Sequence, residues 1–147
     1  MIIRQAQESD LPPLAILFDE YRQFYRSGAQ VGQSYQFLRQ RFAHSQTVIF
    51  VQIKDDALTG FILLYLSFSS IECQHYYILE DLYITPKYRR QGCAQQLIDT
   101  VILFAQEQKA LRISLNTQKQ NTQAKRLYER LGFSQDTKFD TYHYVMH

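Results

Sequence analysis

Arg89-Arg90-Gln91-Gly92-Cys93-Ala94 carries the most readable chemistry in the chain. It follows an apolar run that ends at Ile84-Thr85-Pro86 and precedes apolar residues at Ala94, Leu97, Ile98, Val101, Ile102 and Ala105, which recur with helical period. A strand, a basic glycine loop and a helix in that order make an anion site. The first backbone N–H groups of a helix point outward without partners, and the helix dipole adds partial positive charge there. Gly92 lets the backbone approach a pyrophosphate closely, Arg89 and Arg90 supply charge-assisted bonds, and Ala94 keeps the helix start small. A dinucleotide fold needs GxGxxG and a P-loop needs GxxxxGK[ST]; neither is present, so NAD and ATP are poor candidates. Just upstream, Tyr76 to Ile84 is apolar or aromatic except for Glu80 and Asp81. Neighbouring strand residues alternate between faces, so one of the two carboxylates faces a cleft, where partial desolvation raises its pKa into a range suited to proton transfer.

These residues must be held by a sheet with helices around it. Met1 to Ala6 reads as a short strand, and Ser9 caps a helix to about Arg26, with Pro12 and Pro13 in its first turn and Leu14, Leu17, Phe18, Tyr21, Phe24 and Tyr25 on one stripe. A second helix is predicted from about Ser34 to Ala43. Thr47 to Ile53 and Leu58 to Ser69 read as a hairpin turning at Lys54-Asp55-Asp56, followed by the strand to Ile84 and the helix from Ala94 to Gln108. Leu111 to Leu115 is a further strand, and Asn121 or Thr122 starts a helix through Arg130, with Gly132 at its C-terminal cap. Phe133 onward and the tail from Lys138 to Met146 read as closing strands. The expectation is one α+β (mixed α/β) domain over residues 1–147, without linker or repeat.

Arg-x-x-Gly-x-Ala after a strand ending Asp81-Leu82-Tyr83-Ile84 resembles the acetyl-CoA signature of the GNAT N-acetyltransferase superfamily. Asn121, Ala124 and Leu127-Tyr128-Glu129-Arg130-Leu131-Gly132-Phe133 resemble its second signature. Tyr21-Arg22-Gln23-Phe24-Tyr25, Leu64 to Ser70 and Leu79 to Tyr83 are similar to the branch holding histone/polyamine-type and spermidine/spermine acetyltransferases. The resemblance implies a GNAT-like fold, a mostly antiparallel twisted sheet of about six or seven strands flanked by about four helices. It also implies acetyl-CoA as co-substrate and transfer to a primary amine: a polyamine, an amino acid or related small amine, or a protein lysine. The other reading is a noncatalytic acyl-CoA sensor or interaction domain.

By the same resemblance, the backbone of Leu82, Tyr83 and Ile84 pairs with the pantetheine arm, and residues from Arg89 through Gln95 with Asn121 and Lys125 hold the remainder of the cofactor. Tyr128 matches the general acid that protonates the departing thiolate, and Glu80 the base that relieves the amine of its proton, directly or through water; Asp81 is taken as structural. The amine is expected between the first two helices and the sheet, beside Asp19, Glu20, Tyr21, Tyr25 and Tyr35.

Composition narrows the field. A formal charge of +2 and the lack of a basic stripe interleaved with exposed aromatics exclude nucleic acid as the main partner. The longest apolar stretch, Phe61 to Phe68, is too short to cross a bilayer, and Met1-Ile2-Ile3-Arg4 turns polar too early for a signal peptide, which points to the cytoplasm. Cys73 and Cys93 belong to no CxxC pair or histidine cluster, so no metal is expected. The aromatic tail from Phe139 to Met146 suggests a homodimer by strand or sheet contact.

Overall fold

A computed structural model describes residues 1–26 and 28–147. Its chain separates into two compact units, 1–116 and 117–147. In the first, β1 (Ile2–Gln5), β2 (Thr47–Lys54), β3 (Ala57–Ser69), β4 (Gln74–Ile84) and β5 (Ile113–Leu115) form one sheet in that spatial order. Pairings from β1 to β4 are antiparallel, and β5 joins β4 in parallel. The β2–β3 turn places Asp55 and Asp56 both at positive φ (52° and 59°), the type I′ geometry that matches hairpin twist.

Alternation along the strands supplies two apolar faces. On one, Ile49, Val51, Phe61 and Leu63 pack with Leu11, Leu14, Leu17 and Phe18 of α1 (Leu11–Gln23) and Leu38 of α2 (Val31–Ala43). On the other, Phe50 of β2 and Tyr77 of β4 meet Phe104 of α3 (Cys93–Glu107), whose buried residues Leu97, Ile98, Val101 and Ala105 follow the expected period. Arg4 fastens β1 to the start of α1 through both Asp10 oxygens at 2.7 and 3.0 Å. That guanidinium holds the Asp10 carboxyl below its ordinary pKa.

Helix bounds differ from expectation for a local reason. Ser34, read as the start of α2, lies inside the helix and fully buried, because its hydroxyl donates to Asp19 Oδ1 at 2.8 Å. The second unit holds α4 (Thr122–Arg130). Asn121 Oδ1 accepts from the Ala124 amide at 3.1 Å, as predicted for an N-cap.

The predicted sheet of six or seven strands is corrected to five among the described residues. The missing strands are those read from Phe133 onward, where no strand forms. A strand needs a ladder partner for its amides, and the tail aromatics Phe139, Tyr142 and Tyr144 bury no alternating face, being 79%, 90% and 89% exposed. Among the described residues no helix is long and apolar enough to cross a membrane.

Candidate active site

Arg90 (φ 62°) and Gly92 (φ 77°) both adopt left-handed backbone in the loop before α3. Gly92 is the N-cap residue and offers no side chain to the helix, whose first intrahelical bond is Gln96 N–H to the Gly92 carbonyl at 3.1 Å. The amides of the first turn therefore remain for an external acceptor. A Cβ on Gly92 would find nothing within 4 Å, so the space before the helix is open. Arg89 is held from behind: its Nε donates to the Ile84 carbonyl at 2.8 Å, and its guanidinium lies 5.4 Å from the ring centres of both Phe24 and Tyr83.

The β2–β3 turn braces this loop. Lys54 Nζ donates to Gln91 Oε1 at 2.8 Å, and the Tyr88 hydroxyl donates to Asp55 Oδ2 at 2.7 Å. Lys54, read from sequence only as part of a turn, thus brings a cation to the anion loop; no local pattern announces a contact across 37 residues.

Before the loop, β4 carries two irregularities. Leu63 faces Asp81 while Leu64 faces Leu79, which leaves Glu80 as the surplus residue of a β-bulge. Tyr77, ahead of the bulge, touches Phe104 of α3, whereas Tyr83, beyond it, touches Tyr21 of α1 and Phe61 of the α1 face. The bulge therefore moves odd-numbered residues from the α3 side to the α1 side. In addition, β5 pairs with β4 only at Tyr77, Ile78 and Leu79. From Glu80 to Ile84 that side of β4 has no strand beside it among the described residues.

The phase change carries Asp81 to the α1 face, where the nearby Tyr21 hydroxyl favours its ionised form. Burial, with a smaller push from Glu80, raises the Asp81 carboxyl to about 6. Tyr21 is raised in turn by burial and then by Asp81, and Tyr65 is pushed to about 12 by burial, with Asp81 and Glu80 adding to it. Sequence reading attaches the raised pKa to Glu80 and a structural role to Asp81; in the structure Glu80 is exposed and Asp81 is the desolvated member.

Of the other residues expected near an amine, Tyr21 contacts Tyr25 edge-on at 5.5 Å, and Tyr35 packs against the core. Glu20 Oε2 accepts from the Tyr83 hydroxyl at 3.2 Å. Asp19 is 1% exposed and directed elsewhere: it accepts from Gln30 N–H at 3.1 Å, from Ser34 and from Gln23, tying α1 to α2. Leu82 is half-buried and Tyr83 and Ile84 are buried; Arg90, Gln91 and Gln95 are exposed, Cys93 is buried and Ala94 half-buried.

In the second unit, Tyr128 sits at a fixed place in the end of α4. Phe133 N–H bonds the Tyr128 carbonyl at 3.0 Å and Gly132 N–H bonds that of Glu129 at 3.1 Å, with Gly132 at φ 102°: a Schellman closure. The Phe133 ring packs on Tyr128 at 5.7 Å, supplying the apolar contact that accompanies such caps. Lys125 is half-buried one turn after the Asn121 cap.

Residues 14–133 match the model of the Acetyltransferase (GNAT) family. An uncharacterised N-acetyltransferase of Bacillus subtilis (strain 168), YhfO, is 35% identical over 142 residues, covering 97% of this chain and 95% of the relative. A thialysine Nε-acetyltransferase of Bos taurus is 27% identical over 153 residues, covering 97% and 89%. A crystal structure of a probable acetyltransferase superposes with a TM-score of 0.94 at 36% identity over 100% of this chain and 99% of that one.

Proposed function

Since the chain belongs to the GNAT acetyltransferase family, an acyl-CoA-dependent group of enzymes, we propose that it transfers an acetyl group from acetyl-CoA directly to a primary amine. The observation that carries this reading is the half-unpaired strand β4 running into an uncapped helix start: among the described residues Glu80–Ile84 has no strand beside it on one side, and the open amides of α3 follow within a few residues. An extended pantetheine adds to such an edge as a strand would, and the pyrophosphate suits the amides with Arg89, Arg90 and Gln91 around them.

Acetyl-CoA supplies an activated thioester carbonyl. What the chain contributes is charge and proton control. The Asp81 carboxylate, titrating near 6, is ionised at neutral pH and able to accept a proton from an incoming ammonium, leaving the neutral amine that attacks. Exposed Glu80 adds negative charge at the approach and remains the alternative base, directly or through water. Backbone N–H groups in Leu82–Ile84 polarise the carbonyl oxygen. As the new C–N bond forms and the C–S bond breaks, the Tyr128 hydroxyl gives its proton to the thiolate; the second proton lost by nitrogen restores the tyrosinate through water, and Asp81 releases the first to solvent. Asn121 and Lys125 assist cofactor binding. The bovine relative's name supports including amino-acid side-chain amines among the acceptors.

Release of CoA thiol from acetyl-CoA, scanned over polyamines, amino acids, aminoglycosides and lysine peptides, tests the reading. Tyr128→Phe is expected to lower kcat by about 10²- to 10⁴-fold while acetyl-CoA still binds. Binding of acetyl-CoA with no amine-dependent release would instead support a sensor.

A further inference from the structure

Resting on the transferase reading above, we infer that the acceptor is an amino-acid-like molecule, an amine joined through a short chain to a carboxylate that Arg41 receives. An open groove of about 610 Å³ lies between α2 and β3, lined by Phe37, Arg41, Ser45, Gln46, Tyr65 and Leu66. Arg41 is oriented in it. Its Nε donates to Gln46 Oε1 at 2.7 Å and its guanidinium lies over the Phe37 ring at 5.0 Å. These contacts fix the plane of the fork and occupy only one of its five N–H groups, leaving the two terminal nitrogens, the edge that grips a carboxylate with two parallel bonds.

The partner of that edge is not found in the first unit. Arg4 and Arg22 face Asp10 and Asp19 at 2.7 and 3.9 Å, whereas among the described residues no carboxylate lies within ion-pair distance of Arg41. At the inner wall, Tyr65 lines the groove beside Arg41 and also packs on the α1 side of β3, two residues from Leu63, the partner of Asp81, so this half-buried ring joins the groove to the carboxylate's place on the sheet. An amine directed at the carboxylates therefore places the rest of its molecule along Tyr65, toward the guanidinium. A polyamine would bring a second positive charge against Arg41. A lysine within a protein would bring no carboxylate. An ω-amino acid satisfies both ends and enters with no net charge.

Matched acceptors test this. 6-Aminohexanoate and hexylamine share a chain length and differ in the carboxylate; 1,5-diaminopentane replaces it with a second amine. For the parent protein, kcat/KM for 6-aminohexanoate should exceed that for the other two by at least about 10-fold, as one charge-assisted bidentate pair provides. Arg41→Gln should bring the ratio toward one, acting mainly through KM, and Arg41→Glu should turn the preference to the diamine. Equal or better use of hexylamine or the diamine by the parent overturns the inference while leaving the transferase reading standing. Titration calorimetry of the same three molecules in the presence of CoA reads the preference without turnover. Tighter binding of 6-aminohexanoate without any thiol release supports the charge pairing and removes the transferase reading; no difference in binding among the three overturns the pairing.

Discussion

Replacing Asp81 by Asn should make this protein more stable at neutral pH and less active. In the folded chain the carboxyl titrates at about 6, against the usual 3.8, chiefly because burial disfavours its charge. Below pH 3.8 both states hold the proton and the site contributes no difference. As pH rises from there toward 6, the unfolded chain releases its proton first, so the ionised form increasingly favours unfolding. Above about pH 6 the full cost of holding the carboxylate stands, about 3 kcal/mol at the interval between the two values. Asn keeps the shape of the side chain and an acceptor oxygen near Tyr21 and carries no charge. Urea denaturation of parent and Asp81→Asn should show a gain approaching about 3 kcal/mol at about pH 8, shrinking to roughly half that at about pH 5. Turnover of any amine should fall by at least about 10²-fold if the carboxylate moves the proton. A gain that is equal at both pH values, or a loss at about pH 8, would refute the desolvation account.

The backbone sets further expected outcomes. Gly60→Ala would place a Cβ 2.9 Å from the Tyr83 carbonyl oxygen and 2.6 Å from Ile84 Cδ1, so thermal or urea unfolding should show a loss of about 1–3 kcal/mol. Lys109 ends α3 at φ 57°, with Ala110 N–H bonded to the Ala105 carbonyl at 3.0 Å; Lys109→Gly should raise stability by about 1 kcal/mol in the same assay. Gly92→Ala meets no steric neighbour but must hold φ near 77°, and a strain of about 1–2 kcal/mol should appear as roughly 10-fold weaker acetyl-CoA binding by calorimetry if the loop gives up its left-handed turn. Asn121→Ala removes the cap of α4 and should cost about 1 kcal/mol, read as a lower unfolding midpoint.

What sequence makes legible is governed by short-range chemistry. The basic loop, the period of α3, the Asn121 cap and the Gly132 closure are each decided within a few residues, and the structure has all of them. Strand alternation, by contrast, assumes an unbroken ladder. It places Glu80 and Asp81 on opposite faces but gives no sign that Glu80 is the surplus residue, so it leaves open which member is desolvated; the resemblance chose Glu80, and in the structure that member is Asp81. Asp19 resembles an exposed helix acid because its partners, Gln30 and Ser34, come 11 and 15 residues later. Lys54 gains its meaning from a tertiary neighbour that no period encodes. The aromatic tail shows the reverse failure: strand-like residue types without a ladder partner form no strand.

The surplus residue in β4 also sets how this chain can vary. Substitutions along the strand change one side chain at a time, but a change in its length acts on the bulge itself. Deleting Glu80 would leave Leu79 opposite Leu64 and Asp81 opposite Leu63 as consecutive residues of an unbroken ladder, so Asp81 and Tyr83 would keep the α1 face and only the exposed carboxylate would be lost. A relative one residue shorter between Leu79 and Asp81 is therefore expected to keep the proton acceptor and the ring that backs Arg89 in their layer.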